Sequence, residues 1–178
     1  SLSWARRAGG SGNECAYSVY VDNSGRRFIC GAYTSPSLSF GEMTIYNNGG
    51  ADLFIAAFDP SGDILWLYGA GAEGNEEAYS ISGDGSGKVS ICGYYTSASI
   101  SMGGSTLTNA GTGYTDIFTA VFDNQGSVLW ASSAGGTLND EAYGISMNAA
   151  GETVITGYFA SNSIQFGSQT YTNAAPGY

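Results

Sequence analysis

The sequence predicts an all-β protein, specifically a β-propeller assembled from four-stranded blades of about sixty-two residues, with fewer than three blades in the chain. Three observations lead there. Trp4, Trp66 and Trp130 recur at spacings of 62 and 64 residues, each followed by a Gly-rich loop. Apolar and small residues alternate with period two in every copy, the pattern of strands with two different faces. No stretch carries a helical period of useful length.

The clearest repeated stretch runs from Asp52 to Gly71, DLFIAAFDPSGDILWLYGAG, and returns from Asp116 to Gly135 as DIFTAVFDNQGSVLWASSAG. Two apolar runs flank an Asp-x-x-Gly turn, which reads as a hairpin whose Asp bonds its own backbone two residues on. Ahead of it, each copy has an acidic residue and an Ala-Tyr pair: GNECAYSVYVD from Gly12, GNEEAYSISGD from Gly74 and LNDEAYGISMN from Leu138. The next strands are RRFICGAYTS, KVSICGYYTS and ETVITGYFAS. In the first copy the spacing predicts strands over about 16–22, 27–34, 52–59 and 63–69, with a short hairpin around Phe40 to Tyr46. Tyr17, Val19 and Val21 fall on one face of the first strand, and Ala16 and Ser18 on the other. A large and a small face on one strand suit a sheet held between two similar sheets. The repeats span about 4–65, 66–129 and 130–178 within a single segment, 1–178, and the last is truncated. A solenoid is the alternative architecture, although its coils are usually shorter.

These motifs resemble the SBBP-type β-propeller repeat family, whose blades are similar to NHL and YVTN blades. The resemblance covers essentially the whole chain. It implies a repeat scaffold of large secreted or surface proteins, with the Ala-Tyr-Ser-Ile strand lining a central channel, and it implies no shared active site. Propellers need about four to eight blades. SLSWARRAGG can supply the tail of the missing last strand but nothing supplies the third, so closure of the ring by the chain's own termini leaves a strand short. The expectation is a piece of a longer chain, or a subunit whose open blade a neighbour completes. The chain does not begin with Met and has no visible signal peptide, which reads as a mature or excised piece.

Composition narrows the function. Of 178 residues, 11% are charged, 28 are Gly and 13 are Tyr, and the net charge is −10 with five basic residues. Typical soluble domains are about 25% charged, so the low-charge, Tyr- and Gly-rich balance points to an extracellular or cell-surface protein. Nucleic-acid binding lacks its basic footprint, and no apolar run reaches the ~20 residues of a membrane helix. Without any His, the common zinc sites and Ser-His or Cys-His nucleophile pairs are missing. Cys15, Cys30 and Cys92 are an odd number; Cys30 and Cys92 share a repeat position with Thr156, the mark of a small packed residue, while a Cys15–Cys30 bridge is a second reading.

The residues that can carry chemistry are few. Glu14, Glu76 and Asp140 recur just before the first strand, where carboxylates suit calcium. The competing reading is that they accept backbone amides of the Gly-rich loop, since no Asp-x-Asp-x-Asp-Gly loop accompanies them. Asp84-Gly-Ser-Gly is only a fragment of one. The three Trp residues read as inter-blade core or as sugar-stacking platforms. Tyr33, Tyr94, Tyr95 and Tyr158, with Tyr20 and Tyr46, are expected to be exposed contact residues. Lys88, the only lysine, sits beside a turn. The acidic residues recur or sit in turns, so no unique catalytic pair of the glycosidase kind stands out. The resulting expectation is a non-catalytic structural or protein-binding module of a larger surface, adhesin-like or filament-forming protein. Its partners would be further blades or copies of itself, and it would need no cofactor beyond a calcium ion at most. A carbohydrate-binding propeller is the alternative, and a carboxylate-based glycoside hydrolase the third reading. With no Asn-x-Ser/Thr sequon, only O-linked sugar is expected.

Overall fold

A computed structural model describes residues 4–175, and all the regular structure among them is β. The first unit contains β1 (Glu14–Val21), β2 (Arg27–Tyr33), the short pair β3 (Ser37–Phe40) and β4 (Met43–Tyr46), then β5 (Asp52–Phe58) and β6 (Ile64–Ala70). The second repeats the order as β7 (Glu76–Gly83), β8 (Val89–Tyr95), β9 (Ser99–Met102), β10 (Ser105–Thr108), β11 (Asp116–Phe122) and β12 (Val128–Ala134). The third has β13 (Asp140–Met147), β14 (Thr153–Phe159), β15 (Ser163–Phe166) and β16 (Gln169–Thr172). Two antiparallel four-stranded sheets result, β1-β2-β5-β6 and β7-β8-β11-β12, each with its own small hairpin, and β13 pairs with β14. The sheets do not close into a barrel. The expected strands are present to within two residues, and the extra hairpin begins three residues earlier than expected, at Ser37. Residues 4–10 form no strand, and residues 1–3 lie outside the described part.

Burial on both faces explains the composition of the third strand of each unit. Every residue of β5 and β11 is buried, so these strands read as continuous apolar runs rather than alternating ones. Phe28, Ile55, Ile91 and Phe118 belong to one core between the first and second sheets. Phe54, Phe58 and Tyr33 meet Leu38 and Phe40 of the first small hairpin in a second core, and Cys92, Ile117 and Ile164 form a third core toward β13–β14. Full burial of one such side chain contributes about 1.5–3 kcal/mol, so the faces between sheets dominate the stability.

The first strand of each unit departs from simple alternation. A β-bulge falls between Ala16 and Ser18, Ala78 and Ser80, and Ala142 and Gly144. It takes Tyr17, Tyr79 and Tyr143 out of the two-residue rhythm, so Ala78 and Ile81 share one core although they are three apart. The backbone of the bulge passes directly over Gly31, Gly93 and Gly157, where any Cβ would collide with the carbonyl oxygens of Cys15, Glu77 and Glu141. The small face has its own role. Ser80 and Ser82 hydroxyls accept the amides of Ile145 and Met147 at 3.2 and 3.0 Å, and Ser18 accepts Ile81 at 3.4 Å. Each first strand is a sheet edge whose outward amides need acceptors, and in the second and third units the preceding unit's serines supply them. The large face is covered only when a preceding sheet exists: Ile81 is 6% exposed, whereas its counterpart Val19 is 64% exposed.

The repeated tryptophan joins units in the same way. Trp66 stacks on Phe122 of the next sheet at 6.1 Å and 17°, over Gly126. Trp4 lies 6.3 Å from Phe58, over Gly62. Gly62 and Gly126 both have φ of +85°, and a Cβ on either would press into the indole at 2.6 or 2.7 Å. Trp130 has no such seat and is 42% exposed, against 8% for Trp66. Trp66 is thus core, as one sequence reading had it. The expected outcome is graded: Trp66→Ala lowers unfolding free energy by about 3–5 kcal/mol, whereas Trp130→Ala changes it by no more than about 0.5 kcal/mol. Urea denaturation of the two variants checks this, and equal losses would contradict the seating.

Candidate functional site

Antiparallel pairing sends every acidic strand start to one end of the stacked sheets. Glu14, Asp52, Glu76, Glu77, Asp116, Asp140 and Glu141 lie there, all at or next to the first residue of a strand. The basic residues lie at the opposite end. Arg26 bonds Asp22 in the β1–β2 turn at 2.7 Å, Arg27 reaches the Gly25 carbonyl, and Arg6 pairs with Asp63 at 2.8 Å in the β5–β6 turn. Lys88 follows the β7–β8 turn, and Arg7 lines a hollow beside Gly62 and Asp63. The net charge of the chain is therefore strongly polarised along the strands.

Glu14, Glu76 and Asp140 hold loops. Glu14 accepts the Gly10 amide at 3.0 Å and the Ser35 hydroxyl. Glu76 accepts the amides of Ala72 at 2.9 Å and Ser97 at 3.2 Å. Asp140 accepts the Ser161 amide at 3.2 Å and its hydroxyl at 2.7 Å. Ser35, Ser97 and Ser161 in turn accept the amides of Gly12, Gly74 and Leu138 at 2.8 to 2.9 Å. Carboxylate, serine and Gly-rich loop thus form one repeated unit, the backbone-acceptor reading of these acids. Among the described residues, no three His, Cys, Asp or Glu side chains gather as a metal site.

Exposed chemistry collects beside these acids. Tyr17, Tyr79 and Tyr143 form a row across the three units, with ring centroids 5.2 and 5.5 Å apart. Tyr94 lies 5.5 Å from Tyr79, and Tyr158 lies 5.9 Å from Tyr143. Glu77 accepts the hydroxyls of Tyr17 at 2.8 Å and Tyr94 at 2.9 Å, and Glu141 accepts those of Tyr143 at 2.7 Å and Thr115 at 3.2 Å. Burial, followed by the bond to Glu77, pushes the Tyr17 and Tyr94 phenols well up, while for Tyr143 the bond to Glu141 is the leading cause. These phenols stay protonated and donate. Below Tyr17, a cleft of about 590 Å³ includes Glu14, Cys15, Thr34 and Glu77 in its walls. Aromatic faces, hydroxyls and carboxylates side by side suit a sugar face or a cationic group.

Of the tyrosines expected to be exposed contacts, Tyr94 and Tyr158 belong to this row, and Tyr46 is exposed. Tyr33 and Tyr95 are the correction: both are 0% exposed. Each ends the second strand opposite a buried Asp, pairing with Asp52 or Asp116, where the next layer covers the ring. Tyr20 is half-buried and accepts the Gly85 amide of the next unit at 2.9 Å. Sequence reasoning missed Tyr17, Tyr79 and Tyr143 as a surface because alternation assigned them to the packed face; the bulge that frees them has no sequence signal beyond the recurring Gly two residues before the end of the following strand. The expected alternative of a Cys15–Cys30 bridge is absent: all three cysteines are free. Cys30 faces the next unit and donates to the Ala78 carbonyl at 3.3 Å, and burial raises its thiol and that of Cys92, the latter to about 12.

No protein-family model and no curated protein matches the chain.

Asp52 and Asp116 are buried at 1% and 2% exposure, packed against Gly71 and Gly135, and each keeps one carboxylate oxygen without a partner among the described residues. Burial raises both acids, Asp116 to about 6, partly offset by Asn48 at Asp52 and by the Ala110 amide at Asp116. A carboxyl raised by folding binds its proton more tightly in the native state, so stability is highest at low pH and falls as pH rises. For Asp116 the fall runs from the ordinary aspartate range up to about 6 and is complete above it. Asp116→Asn removes this contribution and leaves that of Asp52. The stability of the wild type relative to the variant should decline between about pH 4 and 6, measured by urea unfolding at stepped pH; a flat difference would contradict the raised value.

Proposed function

We propose that the chain forms consecutive blades of a β-propeller of the SBBP-like kind and serves as a non-catalytic structural or protein-binding module of a larger extracellular surface protein, adhesin-like or filament-forming. The single observation that carries this reading is the repeated seat of tryptophan. Trp4 and Trp66 occupy equivalent positions over Gly62 and Gly126, and Trp130 presents the same ring uncovered. An element that is polar and complete at both ends would expose neither this indole nor Val19, Val21 and Val154. Further blades, in the same polypeptide or in neighbouring copies, are the fitting partners. The low content of charged residues supports a place outside the cell. The test is the native protein purified from its source, examined by denatured and native mass and by electron microscopy. Ring-shaped particles with a central channel and Trp130 protected from quencher are expected. A compact monomer of 178 residues with Trp130 open to quencher would overturn the reading.

A second reading has its own observation in favour. The Tyr17–Tyr79–Tyr143 row with Glu77 and Glu141 suits carbohydrate, the rings stacking on sugar faces and the carboxylates accepting hydroxyls. On a glycan array the protein should then retain a defined set of glycans, and Tyr79→Ala should lose them. An array without signal removes the carbohydrate reading and leaves the scaffold reading intact.

A further inference from the structure

Each unit meets the next through one repeated set of contacts, in which one side reaches forward and the other receives. From the first unit, Cys30 donates to the Ala78 carbonyl at 3.3 Å and Ser18 accepts the Ile81 amide. One unit later, Ser80 and Ser82 accept the Ile145 and Met147 amides. At the turns, Arg26 lies over Gly87 and donates to the Ser86 carbonyl at 2.7 Å, and Lys88 lies over Gly151. The receiving residues Ala78, Ile81, Ala142 and Met147 are all buried.

Both sides of this set are left over at the two faces of the stack. The third unit carries the reaching side, with Ser146, Val154 and Thr156 exposed. Ser146 is the counterpart of Ser82, and Val154 that of the buried Phe28 and Ser90. Gly144 stands in place of Ser80, but the Thr156 hydroxyl lies 2.7 Å from where a Cβ on Gly144 would be. The second strand thus restores the acceptor that the first has lost. The first unit carries the receiving side bare: Ala16, Val19 and Val21 are exposed where Ala142, Ile145 and Met147 are covered. Charge changes at the turns as well. Glu152 stands where Arg26 and Lys88 stand, and the receiving turn of the first unit carries Arg26 and Arg27 after Gly25. Arg27 donates to the Gly25 carbonyl and pairs with no carboxylate among the described residues.

We propose that the third unit of one chain docks on the first unit of a second copy, head to tail, through the contacts that join units within the chain. A second copy is the fitting occupant because a single chain holds both sides of the junction. The charge change also appears on both sides: an acid replaces the reaching cation, and two guanidinium groups follow the receiving glycine. In this junction Thr156 and Ser146 accept the amides of Val19 and Val21, as Ser80 and Ser82 accept those of Ile145 and Met147. Val19, Val21 and Val154 leave water together. Two different faces meet, so the contact is heterologous. The inference rests on the scaffold reading and narrows its partner to a second copy.

The test is sedimentation velocity of the chain over a concentration series. The wild type should associate, and Val19→Glu and Val154→Glu should each weaken association at least about tenfold by burying a charge in the junction. Mixed together, the two variants should associate again, because the mixture pairs an intact third-unit face with an intact first-unit face. A contact between two identical faces gives no such recovery. Glu152→Lys, on an exposed turn, should also weaken association by facing Arg26 and Arg27 with a like charge, and it serves if a strand variant folds poorly. A chain that stays monomeric throughout the series, variants that associate as the wild type does, or a mixture without recovery would overturn the proposal. The scaffold reading keeps a separate readout: Trp130 lies on β12 and takes part in none of these contacts, so its protection in the native protein reports further blades independently of the copies.

Discussion

Each four-stranded sheet must be covered on both faces, and most of the structure follows from that requirement. β5 and β11 bury every residue, which a sheet with one solvated face cannot do. The first sheet meets this need with the second sheet on one side and the β3–β4 hairpin on the other. The seat for Trp66 forms only because the next sheet brings Phe122 and the left-handed Gly126 under the ring. Serine on the small face belongs to the same constraint. Once first strands stack, their outward amides are shielded from water, and Ser80 and Ser82 satisfy Ile145 and Met147. An unpaired buried amide would cost about 1–3 kcal/mol.

Stacking also explains where the polar chemistry collects. Because every unit repeats the same strand directions, its acidic strand starts accumulate at one end, and the guanidinium groups fall at the turns of the other. Repetition does not make the acids equivalent. Glu14, Glu76 and Asp140 are consumed by loop amides and serine hydroxyls, Asp52 and Asp116 are buried with raised pKa, and Glu77 and Glu141 remain with the tyrosine row. Depth and available donors, not residue type, separate the three roles.

The strand boundaries were legible because short apolar runs and Asp-x-x-Gly or Asp-x-Ser-Gly turns are local signals. The β3–β4 hairpin and the acceptor role of the pre-strand acids were legible for the same reason, since each partner lies within the repeat. The tyrosines were not. Tyr33 and Tyr95 look like strand-end contact residues, yet Tyr33 is buried against the β3–β4 hairpin and β5, and Tyr95 in the core between the sheets. Tyr17, Tyr79 and Tyr143 look packed by alternation, yet a bulge turns them into a row. Cys15 and Cys30 are close enough in sequence to suggest a bridge, but strand register sets Cys15 opposite Ala32 and Cys30 opposite Ser18.

By itself the sequence determined the all-β class, the repeat and the order of strands within each unit. These depend on side-chain period and turn chemistry, which act over a few residues. Tertiary structure alone decided which copy of a repeated residue is covered: Trp66 but not Trp130, and Ile81 but not Val19. Identical or similar residues differ there because burial is a property of the neighbouring unit, and the neighbour is a different one at each step along the stack.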